Sequence, residues 1–409
     1  MQSRTAAALV VVAVAVSGCS AGTTAQQGRS TAAVAPAVPD AIPAASVRPL
    51  PPDLLVVRAA RGARVINAST GAVVASVQDG VPAPGGTPLV GTTPTGVALV
   101  DAVSGVASTL TGGAPLVPAV ATRDAQLVAL SAPAGAAIAG YIAPARTHSR
   151  ITVTGSEGQA ARSYDLAGNF EPEAFSTDRT QLFLIEYLPA AAPDRYRVRQ
   201  LDLASGTVDG VFGPNKQLLD EQMRGVGRMQ LLDDRNAVLY TLYRTVGSDQ
   251  AFVHTLHLSD RWAHCIVLPA EFGRGGADVA IALAPDGTLY AWDGRTIATV
   301  RAETMEIGPT AVVHPQSPNG AVSAAVAPDG TVVTVAGDAV AELDAGSFAP
   351  TAAWSLPAPA SSVAMSTDGR TLYAVAGAQI VAVDRASHTE IGRVAAAPGD
   401  RIAAVLQQP

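Results

Sequence analysis

Disulfides cannot hold this chain together: its 409 residues contain two cysteines, Cys19 and Cys265, so stability has to come from packing. Lysine is almost missing, with Lys216 the single example, while arginine and alanine abound. Aromatics make up 4% and tryptophan occurs only at 262, 292 and 354. The net charge of −7 excludes a general nucleic-acid binder. After residue 16 no apolar run approaches 18 residues, so no second membrane segment is expected. No Gly-x-Ser-x-Gly elbow, Walker loop or His-Glu-x-x-His motif occurs, and the glycines of "GRGGAD" (273–278) precede a strand pattern, which makes them loop residues.

What is present begins with a leader. Arg4 precedes an apolar core from Ala6 to Val16 that covers only about half of a ~30 Å hydrocarbon layer, the length of a signal-peptide core. Val16-Ser17-Gly18-Cys19 resembles the lipobox of bacterial lipoproteins. The resemblance implies cleavage before Cys19, acylation of its thiol, and a cell-membrane, extracytoplasmic location. Residues 20–52 carry Ala, Thr, Ser, Gln and Pro without apolar periodicity and read as a flexible tether. The expected organisation is therefore a signal peptide over 1–18, a tether over 19–52 and a folded domain over 53–409.

That domain repeats. "VAIALAPDGTLYAWDGRTIATVRAETMEIG" (279–308), "VSAAVAPDGTVVTVAGDAVAELDAGSFAPTAAW" (322–354) and "SSVAMSTDGRTLYAVAGAQIVAVDRASHTEIGRV" (361–394) are variants of one unit of four short strands. Its first turn is Asp-Gly, which tolerates the positive φ of a tight hairpin. More divergent units precede these, and the count favours eight over seven. The first unit lacks an innermost strand, and "DRIAAVL" (400–406) is left over at the C-terminus to supply it. The fold class is all-β: a single β-propeller of four-stranded antiparallel blades, closed by a C-terminal strand. "VAVDRASHTEIGRV" resembles the YVTN/WD40-like repeats of bacterial propellers, and "VAELDAGSFAPTAAW" and "VINASTGAVVASV" the PQQ-like repeats. The arginine-for-lysine bias looks like that of a GC-rich, actinobacterial genome.

Propellers host enzymes, receptors and scaffolds alike. The innermost strands, which line the channel of such a fold, carry small apolar residues apart from Glu173 and the strand ends. A metal-dependent lactonase needs several oxygen or imidazole ligands there. Trp354 alone sits where a PQQ-like repeat places its tryptophan, so neither a metal nor a cofactor is expected. His254 and His257 are three apart on a strand pattern and point to opposite faces, and Cys265 faces away from His264. These read as strand histidines and a buried, apolar-behaving cysteine. The connections on the face opposite the Asp-rich turns are long and gather arginines, among them Arg61, Arg64, Arg146, Arg150, Arg224 and Arg228, although Asp194, Asp220 and Glu221 dilute the charge. The sequence reading is a lipid-anchored, monomeric module that binds a protein or an anionic envelope component through that face, with Cys19 as the lipid attachment site and no catalytic residue named. The alternative is a propeller hydrolase or lactonase acting at the channel.

Overall fold

Asp-Gly turns build the hairpins as the repeat requires. Gly330 turns the chain at φ +86°, and in the divergent units Ala125 and Arg179 occupy the position after the turn aspartate at φ +49° and +60°. Non-glycine residues tolerate that region at modest cost, so the hairpin survives loss of its glycine. The aspartates do more than terminate strands. Asp124, Asp178, Asp286, Asp329 and Asp368 each accept a bond from the backbone N–H two residues on.

The structure, a computed structural model, describes residues 51–407 except 60–61, 94–95, 111–115, 134–142, 156–159, 216–217, 220–221, 246–249, 275–277 and 314–320. Cys19, the leader, most of the tether, Arg61, Asp220 and Glu221 lie outside the described residues. Among the described residues the strands form six four-stranded antiparallel sheets and one nine-stranded sheet; the main path of the larger sheet reads as two more four-stranded blades joined at their outer edges, with the short strand Leu218–Leu219 off that path, which fits eight blades. Blade one joins Arg401–Gln407, innermost, to Asp53–Arg58, Ala63–Asn67 and Val73–Val77. Blades two to eight follow in chain order over residues 81–110, 117–167, 169–212, 226–267, 280–312, 322–355 and 360–395. The closing strand runs antiparallel to Asp53–Arg58 from Asp53↔Gln407 to Arg58↔Arg401. The chain is a β-propeller.

Two features depart from a simple repeat. Blade two begins with a strand of two residues, Val81–Pro82, hidden in sequence by its Pro- and Gly-rich surroundings. Blades four and five touch edge to edge through a parallel bridge, Phe212↔Trp262. The innermost strands of five blades carry one extra residue at a bulge: Ala119, Glu173, Arg228, Ser361 and Ala403 have no register partner. A bulge bends its strand and re-aims the unpaired residue. In blades seven, eight and one, serines stitch innermost strands together. The Val363 N–H donates to Ser323 Oγ at 3.0 Å and the Ile402 N–H to Ser362 Oγ at 3.1 Å.

The core lies between blades rather than at the axis, because each sheet has two faces to cover and a neighbour on each side. Trp292 of blade six, fully buried, packs with blade seven and donates Nε1–H to the Val335 carbonyl at 3.1 Å.

Candidate functional site

In a blade, successive turns alternate between the two ends of the ring. The end that carries the tight turns is internally satisfied. Asp101, Asp202, Asp344 and Asp384 each accept a backbone N–H and the hydroxyl of a serine three residues on. Other carboxylates there tie blades together: Arg179 to Asp124 at 2.5 Å, Arg123 to Asp234 at 2.7 Å, Arg385 to Asp329 at 3.0 Å, and Arg261 to Asp178. The Asp178 carboxyl is held down at about 2, first by the Ser176 hydroxyl. These acidic turns are structural.

The other end carries the long connections and the arginines. Several of those arginines are strand residues rather than loop residues, and most are already neutralised. Arg64, on the strand Ala63–Asn67, pairs with buried Asp400, which also accepts the Ala397 N–H at 2.7 Å. Arg146 pairs with Glu171 at 3.0 Å and donates to the Pro133 carbonyl. Arg224 reaches Asp194 at 3.3 Å, which Arg195 also approaches, and Glu186 accepts from both Arg197 and Arg199. Arg150 lies on the strand His148–Gly155, is exposed, and has no ion pair among the described residues. Arg228 sits at the bulge of the blade-five innermost strand.

Besides Arg150, two further arginines at this end carry no ion pair among the described residues, and sequence alone does not bring them together. Arg58 and Arg401 are register partners on adjacent strands, at the loop-side end of blade one and next to the channel mouth. Both are exposed, and neither has an ion pair with any described residue. Like charges directly opposite on a sheet repel. Partial desolvation first, and then the charge of Arg401, push the Arg58 pKa down. Two guanidiniums side by side present a fork that fits a carboxylate or phosphate, and an anion placed between them removes the repulsion.

The channel wall has one titratable group of note. Glu173, the bulged residue of blade four, accepts from Gln230 Nε2 at 2.8 Å and from Thr241 Oγ1 at 3.4 Å, both in blade five. Burial pushes its pKa up to about 7 against those hydrogen bonds, and the charge of Glu171 adds to the rise. The folded state thus holds this proton more tightly than the unfolded chain, whose carboxyl titrates near 4.5. Stability from this group is full below about 4.5 and declines as pH rises through about 7. Glu173→Gln is therefore expected to equal the parent near pH 4.5 and to exceed it at pH 8. Urea midpoints at the two pH values measure this, and a variant less stable at pH 8 would show that the carboxylate is favoured in place.

No protein-family model matches the chain, and no curated protein does. Among solved structures it is similar to apo AztD from Citrobacter koseri, at 10% identity and a TM-score of 0.50, over 87% of this chain and 97% of that one. It is also similar to the dihydro-haem d1 dehydrogenase NirN in complex with DHE, at 12% identity and a TM-score of 0.49, over 89% of this chain and 77% of that one. For Sqt1 of Saccharomyces cerevisiae the values are 11% and 0.47, over 76% and 82%. The likeness is one of fold alone.

Proposed function

We propose that the protein is a lipid-anchored, extracytoplasmic binding or scaffold module that holds a protein or cell-envelope partner by an anionic group at the loop-side end of the ring. The observation that carries this reading is the Arg58–Arg401 pair, register partners on adjacent strands with no ion pair among the described residues. Arg150 extends positive charge around the same end. Anchoring rests on the lipobox at Val16–Cys19 and on the tether that follows it.

The test is retention of an anionic ligand by the whole chain. Polyglutamate and a phosphate-rich polymer serve as the two probes, which separates carboxylate from phosphate recognition. Arg58→Ser with Arg401→Ser is expected to weaken capture of one probe by about tenfold or more, since clustered charge-assisted bonds act together. The double variant should keep the parental melting temperature or raise it slightly, because a repulsion is removed. Capture that survives both the substitutions and 0.5 M salt, where charges are screened beyond about 4 Å, would remove the arginine pair from the site. Cys19→Ser in cells should release the protein from the membrane fraction or leave uncleaved precursor. Normal processing and retention of that variant would remove the anchor.

A channel hydrolase keeps one observation in its favour. Glu173 stands on an innermost strand, and burial pushes its carboxyl up to about 7, the range that suits a general base.

A further inference from the structure

The blade-five hairpin carries three of the six histidines and the second cysteine. Spacing along the sequence draws attention to His264 beside Cys265, whose side chains alternate to opposite faces. The register pairs differently: Cys265 stands directly opposite His254, on the same face of the sheet. That face is turned towards blade four, where Val198 and Val211 pack on it. Met223 is held at this contact by mutual backbone hydrogen bonds with Tyr196, and its sulfur lies 3.3 Å from Cys265 Sγ.

The three side chains line a common cavity of about 20 Å³ between the two blades. That is room for one water-sized body. His254 is 4% exposed, and neither of its ring nitrogens has a hydrogen-bond partner among the described residues. An imidazole with no protein partner, lining a small cavity beside a thiol and a thioether, is an unusual use of a core position, because a polar group that loses water without gaining a partner destabilises the fold.

We propose that Met223, His254 and Cys265 form a binding site for a single Cu(I) ion. The donor set decides the metal. Thiolate and thioether sulfurs are soft and select Cu(I), whereas Zn(II) sites are built from four ligands drawn from thiolate, imidazole and carboxylate. Binding exchanges the thiol proton for the metal: the S–H bond breaks, the proton leaves to solvent, and the sulfur–copper bond forms with no change of oxidation state. The site lies between the outer strands of blades four and five, away from Arg58 and Arg401, and is independent of the anion-binding reading.

The experiment uses the full chain carrying Cys19→Ser, so that Cys265 is the one thiol, kept reduced and anaerobic. Cu(I) is offered as its coloured bicinchoninate complex. The expected result is withdrawal of one equivalent, with X-ray absorption at the copper edge fitted by two sulfurs and one nitrogen. Cys265→Ser should lower the affinity by about a hundredfold or more, and Met223→Leu, which conserves volume, by about tenfold. If the serine variant does not fold, the leucine variant and the copper-edge spectrum still decide. Failure to withdraw copper would overturn the site. So would undiminished affinity in Met223→Leu, or Zn(II) binding that is lost in the same variants.

Discussion

Deletion of residues 400–409 is expected to leave no soluble, folded monomer. The closing strand covers the full length of Asp53–Arg58, whose Leu54, Leu55, Val56 and Val57 are at most 1% exposed. Without it the first blade has three strands and an open edge facing the channel, a template for pairing with other chains. The half-buried Ile402, Val405 and Leu406 each contribute on the order of 1 kcal/mol of burial. Loss of Asp400 also leaves the largely buried Arg64 without its carboxylate, which costs about 1–3 kcal/mol as an unpaired group. Together these reach roughly 5 kcal/mol, the lower bound of the whole stability of an ordinary domain. Soluble yield and light scattering measure the outcome, and Asp400→Asn separates the ion pair from the strand. A truncated chain that melts like the parent would mean that seven intact blades suffice.

The second large effect concerns Trp292. Its truncation to alanine opens a cavity at the contact of blades six and seven and removes a hydrogen bond to the Val335 carbonyl, for an expected loss of about 3–5 kcal/mol. Trp292→Phe keeps most of the ring and should cost about 1–2 kcal/mol through the missing hydrogen bond. Trp354 provides the contrast. It is 2% exposed, yet its Nε1 finds no acceptor among the described residues. Phenylalanine there removes an unsatisfied donor along with some volume, so Trp354→Phe should be milder than Trp292→Phe. Urea midpoints at constant slope rank the four proteins. The reverse order for the two phenylalanine variants would show that volume outweighs hydrogen bonding at both positions.

The blades were readable because each is written locally: strand, Asp-Gly turn and strand fall within some forty residues, and the unmatched "DRIAAVL" called for a partner. Val81–Pro82 escaped because two residues cannot show a period. The arginine-rich end was legible as a tendency and illegible as a site. Asp400, Glu171 and Asp194 neutralise Arg64, Arg146 and Arg224, and in each pair the carboxylate lies in a different segment of the chain from its arginine. Counting charges within a segment does not reveal such pairing. Nothing in its own segment marks Arg401 either, since it meets Arg58 only when the ring closes. The Met223–His254–Cys265 cluster needs hairpin register, which spacing alone does not supply.

Strand direction gives the molecule a front and a back. Asp53 opposes Gln407 at the tight-turn end, and the chain climbs from there to Arg58 at the other. Everything upstream of residue 53 thus departs from the end laced by acidic turns. Under the anchoring proposed above, the tether would join the ring at that end, opposite the arginine pair. A strand of six residues rises about 20 Å, so Arg58 and Arg401 stand a full ring thickness from the point at which the chain enters the propeller, and a partner docked on them would leave that entry point uncovered.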